Sequence, residues 1–234
     1  MIPTHKKLAW GQRYQQRRGD GEPGWAGDDS YRRKQAQIEE ALQGQPQPVN
    51  SRFLELGCGA GNITLWMAEQ GYESYGIDII PEAIEWANER MNACAAIANF
   101  RVGDIANMED FPDDFFGIIF DADCFHMIID DGREACFAEV RRVLRPGGLF
   151  IRGQNARDDR IAHRVEFAQG TAYFEPHSRC IFIEGRPEYL LLSEQELIQE
   201  VTNAGFNVLR VIHRPAEGTR PFLSGWVDIH ASKT

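Results

Sequence analysis

The sequence predicts an α/β fold: a Rossmann-like, mostly parallel seven-stranded sheet with helices on both faces and an antiparallel edge pair at the C-terminus. Three observations predict it. From Arg52 onward, short apolar runs alternate with helical patterns. A glycine-rich turn, Gly57-Cys58-Gly59-Ala60-Gly61, separates the first such run from the first such helix. The run Phe116 to Phe120, FGIIF, is apolar on both faces, as a central parallel strand must be.

The elements follow in order. Residues 1–50 read as an N-terminal lid and helix. Trp10, Tyr14 and Trp25 are interspersed with Gly19, Gly21, Gly24 and Gly27, Tyr31 to Leu42 carries good helix formers, and Gly44, Pro46 and Pro48 end the segment. Residues 51–234 read as the main domain. Phe53 to Leu56 is its first strand, Ile63 to Gln70 a helix ended by Gly71, and Tyr72 to Ile77 the second strand. Pro81 suits the first turn of a helix whose Ile84, Ala87 and Met91 share one face. Ile97 to Val102 and Phe116 to Phe120 are the third and fourth strands. A helix over Arg133 to Val143 is closed by Arg145-Pro146-Gly147-Gly148, and Leu149 to Ile151 is the fifth strand. Ser193 with Glu196 forms a capping box for a helix ended by Gly205, and Phe206 to Ile212 and Leu223 to Ile229 supply the edge pair. The insertion 154–192 is far longer than the ~2–6 residues of an ordinary connection. It emerges at the carboxyl ends of the strands, where open α/β sheets bind ligands.

Composition bounds the function. The 234-residue chain suits one substantial core, and no apolar run approaches the ~20 residues of a membrane span. The N-terminus lacks the apolar stretch of a secretory signal, so a cytoplasmic location is expected. Five dispersed cysteines without a CxxC pair point to free thiols rather than disulfides or a zinc site, and no metal is expected. A net charge of -10 disfavours a nucleic-acid substrate. No pattern specifies an oligomeric state.

The turn carries the chemistry. Gly57 permits a tight reversal, Gly59 a close ligand approach and Gly61 close helix packing. Asp78, 23 residues after Glu55, ends the second strand, where a carboxylate can accept ribose hydroxyls; a helix cap is the structural alternative. Asp104 after the third strand can accept from an adenine amino group or simply hold a turn.

These motifs, ELGCGAG (Glu55–Gly61), GIDI (Gly76–Ile79), GDI (Gly103–Ile105), FGIIFDADCFHMI (Phe116–Ile128) and RRVLRPGGLF (Arg141–Phe150), resemble the class I S-adenosylmethionine-dependent methyltransferases. The resemblance implies S-adenosylmethionine as cofactor. It implies that the turn, with Cys58 and Asn62, lies beside the methionine part and that Glu55 organises its amino group. Asp78 would then bind the ribose and Asp104 the adenine end, with Ile79 and Ile105 sandwiching the ring. Asp121 is a further candidate for orienting the amino group. An NAD-dependent dehydrogenase is the competing enzyme, disfavoured by Asn62 where a Gly or Ala is usual and by the lack of room for a second domain. A non-catalytic S-adenosylmethionine-binding module is an alternative of another class.

On the acceptor side, His126 can take a proton from a thiol, amine or hydroxyl, or can pack against the next helix. Cys124 and Asp123 border the same rim, the first as ligand contact or buried residue, the second as amine partner or turn cap. Gln154, Asn155 and Tyr173 are insertion candidates for acceptor binding. Trp10, Tyr14 and Trp25 can wall a cationic sulfonium or anchor their segment to the core; such a cover is similar to that of thiopurine, thiol and halide methyltransferases. The expected partner is a small-molecule methyl acceptor, with protein side-chain methylation as the alternative.

Overall fold

Parallel strands need both faces covered, and the sequence supplies two interleaved apolar sets to do it. The computed structural model describes residues 2–43, 51–129, 132–216 and 220–234. Strands β1 (Arg52–Leu56), β2 (Glu73–Asp78), β3 (Ala98–Val102), β4 (Phe116–Asp121) and β5 (Leu144–Arg157) run parallel, and β11 (Leu223–Lys233) and β10 (Phe206–Pro215) close the sheet antiparallel. The order is β10-β11-β5-β4-β1-β2-β3. Because the chain winds outward from β1 in one direction and from β4 in the other, the carboxyl ends of β1 and β4 flank a crevice.

Alternation along the strands sorts the core. Leu54, Leu56, Ile119 and Phe150 pack with Phe137 and Val140 of α5 (Gly132–Val143) and Leu197 and Val201 of α6 (Glu194–Asn203). Their neighbours Phe53, Ile118, Phe120 and Ile151 face Ile63 and Met67 of α3 (Asn62–Glu69) and Ile38 of α2 (Asp28–Leu42). The helix α4 (Pro81–Asn92) begins at the proline, as expected. Among the described residues no helix is long and apolar enough to cross a membrane.

Three features differ from the sequence reading. The N-terminal segment contains a helix, α1 (Thr4–Gly19), ahead of α2. Its glycines gather after Arg18, leaving the preceding residues nearly free of breakers, and Gly11 allows α1 to cross α4 closely: a Cβ there would stand 2.7 Å from Glu82 Oε2. Gly44, Pro46 and Pro48 lie outside the described residues. Second, β5 is 14 residues long, so Arg145-Pro146-Gly147-Gly148 lies within it and Gln154 and Asn155 are strand residues paired with Val227 and Trp226 of β11. Third, the insertion is itself folded, into an antiparallel sheet of β6 (Val165–Phe167), β7 (Ala172–Glu175), β8 (Cys180–Ile183) and β9 (Arg186–Leu190).

The capping box of α6 is formed: Glu196 N donates to Ser193 Oγ at 3.3 Å and Ser193 N to Glu196 Oε2 at 2.8 Å. Replacing Ser193 by Ala is expected to lower unfolding free energy by about 1 kcal/mol in urea titrations. An unchanged midpoint would show that the cap adds nothing to α6.

Candidate active site

The glycine turn leaving β1 is pinned from the neighbouring strand. Gly57 N and Cys58 N donate to Ile77 O at 2.8 and 3.1 Å, and Gly59 N donates to Asp78 Oδ2 at 2.9 Å. Asp78 Oδ1 accepts from Ile80 N at 3.0 Å, so one carboxylate joins the turn to the start of α4. Gly57 and Gly59 hold φ of +69° and +53°, and each is crossed at close range. A Cβ on Gly57 would lie 2.7 Å from Cys124 Cβ, and one on Gly59 would lie 2.8 Å from the Tyr14 hydroxyl. The loop after β4 and helix α1 therefore both close over the turn.

Between them lies a cavity of about 650 Å³. That is within the ~300–1,000 Å³ range of small-molecule sites. Glu55, Gly57, Cys58, Gly59, Asp78 and Ile79 line it, followed by Asp104 and Ile105 from the end of β3. Trp10, Tyr14, Trp25, Asp123, Cys124 and His126 also line it. Asp104 holds a turn as well, accepting from Ala106 N at 3.0 Å. Tyr14 stands against Trp25 (centroids 5.0 Å apart) and edge-on to Trp86 of α4 (6.5 Å), so the aromatic wall is also what anchors α1.

Six expected site residues lie off this cavity, each for a local reason. Gly61 faces Phe100, whose Cζ would be 2.6 Å from a Cβ, and serves the packing of α3. Asn62 Nδ2 donates to Pro23 O at 2.9 Å and ties down the segment before α2. Asp121 is turned into its own loop: Cys124 N and Phe125 N donate to Oδ1 at 2.9 and 3.2 Å, and Oδ2 is 4.0 Å from Arg152 Nε. Gln154 is buried with its Oε1 accepting from Arg152 at 2.7 Å, and Asn155 sits exposed in the β5–β11 ladder. Tyr173 stacks on Phe182 at 4.9 Å beneath the Arg164 guanidinium, within the small sheet.

Lys34, Tyr31 and Tyr189 are among the cavity residues that the sequence reading did not single out. Lys34 of α2 donates to Ala122 O at 3.1 Å and pairs with Asp123 Oδ2 at 3.0 Å. Tyr31 lies one turn earlier on the same helix. Tyr189 of β9 places its ring 5.4 Å from that of His126. A latch joins the two covering segments, since Lys6 Nζ of α1 donates to Pro187 O at 2.9 Å and pairs with Glu188 at 3.1 Å. The spacing of Lys34 from Ile38 and Ala41 on the packed face of α2 was the available signal for its inward placement.

Burial sets the electrostatics. It raises Glu55 to about 7, opposed by hydrogen bonds from Thr64 N (2.8 Å) and Thr64 Oγ1 (2.5 Å) and by the Lys34 charge. It raises Asp78 to about 6 against the backbone bonds from Ile80 and Gly59. Burial also lowers His126 below the ordinary imidazole value, outweighing the carboxylates of Asp123 and Asp121, so the ring is neutral at pH 7. The Lys34 ammonium is pushed down by burial, but Asp123 and Glu55 more than offset it and hold it above the ordinary lysine value.

The geometry defines a Rossmann-like domain able to hold an adenosine-type cofactor. The Asp78 carboxylate accepts backbone N–H groups with lone pairs to spare for a hydroxyl, Ile79 and Ile105 line the same cavity, and the glycine turn leaves room that side chains would fill. Residues 54–152 match the family model described as "Methyltransferase domain". A 120-residue segment is 33% identical to a 2-heptyl-1-hydroxyquinolin-4(1H)-one methyltransferase of Mycobacteroides abscessus, covering 46% of this chain and 52% of that one. The chain thus spans about half the length of that curated relative. In fold it is similar to the 1,6-didemethyltoxoflavin-N1-methyltransferase of Burkholderia thailandensis, solved with 1,6-didemethyltoxoflavin and S-adenosylhomocysteine. The TM-score is 0.69 at 21% identity, covering 100% of this chain and 92% of that one. It is similar also to an S-adenosylmethionine-dependent methyltransferase of Methanosarcina mazei (TM-score 0.64, 23% identity, 84% and 96% covered). Over residues 54–152 the chain thus matches a methyltransferase domain, and in fold it is similar to S-adenosylmethionine-dependent methyltransferases.

A raised carboxylate stabilises the fold fully below its unfolded pKa and loses that contribution as pH rises through its folded value. For Glu55 the loss therefore runs from the ordinary value of 4.5 up to about 7, and for Asp78 from 3.8 up to about 6. His126 adds nothing to this slope above its unfolded value, where it is neutral in both states. Glu55→Gln, which keeps an oxygen for Thr64, is expected to flatten the stability of the ligand-free protein between about pH 5 and pH 7, leaving the variant ~1–3 kcal/mol above the wild type at the upper end. Parallel curves in chemical denaturation across that range would contradict a neutral buried Glu55.

Proposed function

We propose that this protein transfers the methyl group of S-adenosylmethionine to a nucleophilic atom of a small metabolite in the cytoplasm. The observation that carries this reading is one continuous cavity, with the glycine turn, Asp78 and Asp104 on its walls together with His126, Cys124 and Tyr189. Bound S-adenosylmethionine supplies an electrophilic methyl group. The chain's own residues do the rest: Glu55, Asp78 and Asp104 hold and orient, while Trp10, Tyr14 and Trp25 exclude water.

His126 is the proton acceptor in this reading. Its neutral ring faces the cavity, and the adjoining Tyr189 ring narrows the space in which an acceptor sits. An aromatic acceptor fits those walls. The quinolone and toxoflavin-type substrates named for the two relatives above support a heteroaromatic one. Residues 1–50 and the insertion serve as the cover, a role supported by the Lys6 latch between α1 and β9. Free thiols throughout the described residues fit a reducing cytoplasm, and the acidic balance fits a non-nucleic-acid substrate.

The test is incubation of the protein and S-adenosylmethionine with a metabolite extract, following S-adenosylhomocysteine and the mass gain of the product. Methylation of a small molecule is expected; methylation confined to proteins would overturn the acceptor class. With that product identified, His126→Ala is expected to lower kcat by about 10²–10⁴-fold with cofactor affinity nearly unchanged. An unchanged kcat across neutral pH would remove His126 as the base.

A further inference from the structure

We propose that Lys34 is the anion subsite of this cavity, binding a carboxylate or like oxyanion of a ligand through the N–H that its protein partners leave over. The inference rests on the methyl-donor reading above and extends it to a residue of α2, outside the segment matched by the family model.

The cavity is walled by the carboxyl groups of Glu55, Asp78, Asp104 and Asp123, and among the described lining residues Lys34 is the one lysine or arginine. For an anionic group entering this space Lys34 is the favourable charge among these lining residues. Four backbone donors of the turn are already committed. The N–H groups of Gly57 and Cys58 are given to Ile77 O, that of Gly59 to Asp78 and that of Gly61 to Cys58 O. The glycine turn thus makes room for a ligand without making an anion nest from these four donors.

Lys34 has the complementary property. An ammonium carries three donors. One goes to Ala122 O at 3.1 Å and one to Asp123 Oδ2 at 3.0 Å, which leaves a third on a side chain only 15% exposed. The two existing partners hold the ammonium in place and keep it charged, so a ligand oxyanion can be met without breaking the buried ion pair. Asp123 itself sits at φ +68°, an uncommon conformation for a non-glycine residue, and the Lys34 contact is one of the restraints on it.

Two ligands could bring the oxyanion: the amino-acid carboxylate of the methyl donor, or an acidic group of the acceptor. Calorimetric titration of the full chain separates them. S-adenosylhomocysteine carries the carboxylate, 5′-methylthioadenosine is the nucleoside without it, and benzoate added to the S-adenosylhomocysteine-saturated protein probes the acceptor space. Lys34→Met is expected to weaken S-adenosylhomocysteine by about tenfold or more while leaving 5′-methylthioadenosine within about twofold, and Lys34→Arg to restore most of the loss. The double variant K34M/D123N, which removes the stranded carboxylate, should behave as K34M. Unchanged nucleoside binding with loss of benzoate would support the proposal with the acceptor as the source. Equal losses for both nucleosides in K34M and the double variant, or no loss in any arm, would overturn it. A wild-type protein that binds neither nucleoside would overturn the methyl-donor reading and this inference with it.

Discussion

The site depends on one carboxylate. Asp78 accepts from Gly59 N and Ile80 N at once, and so fixes the left-handed glycine turn at the end of β1 to the beginning of α4. Without that clamp the turn keeps its bonds from Gly57 N and Cys58 N to Ile77 O and from Gly61 N to Cys58 O, but loses its tie to the start of α4. The cost is an acid buried where its charged form is disfavoured, raised to about 6. A ligand that donates hydroxyls to Asp78 relieves that cost, which couples binding to the stability of the turn.

Everything else is arranged around the clamped turn. The sheet order places β4 beside β1, so the loop carrying Cys124 and His126 crosses Gly57 at van der Waals range. Helix α1 crosses Gly59 with Tyr14 and is held by aromatic contact with Trp25 and Trp86 and by the Lys6 latch to β9. Two segments remote in sequence thereby wall one cavity. The buried Arg133 joins the back of the site, donating to Phe125 O and, at 2.9 Å, to Ile128 O while Glu200 of α6 accepts at 2.6 and 2.7 Å. The turn bearing His126 is thus braced from α5 and α6.

What could be read in the sequence was what is locally encoded. Period-two and period-3.6 patterning gave the α/β alternation, and the turn with Glu55, Asp78 and Asp104 declared itself because each lies at the end of its own strand. What could not be read was decided by tertiary pairing. Gln154 and Asn155 look like loop residues after a short apolar strand, yet the long partner β11 extends β5 through them. Tyr173 looks like pocket material but is spent on a stack with Phe182. Asp121 looks like a ligand acid but caps its own loop. Lys34 shares the packed face of α2 with Ile38 and Ala41, but its partner Asp123 is supplied by the docking of α2 against the sheet. Helix α1 was obscured by the glycines that follow it.

On the proposed function, the Asp78-clamped turn holds S-adenosylmethionine rather than a dinucleotide. The most direct measurement is calorimetric titration of the wild-type protein with S-adenosylmethionine and, separately, with NAD and NADH. The account predicts saturable one-site binding of S-adenosylmethionine that is reduced by ~1–3 kcal/mol in Asp78→Ala, with no comparable binding of either dinucleotide. Preferential binding of NAD or NADH, or S-adenosylmethionine binding indifferent to Asp78, would contradict it.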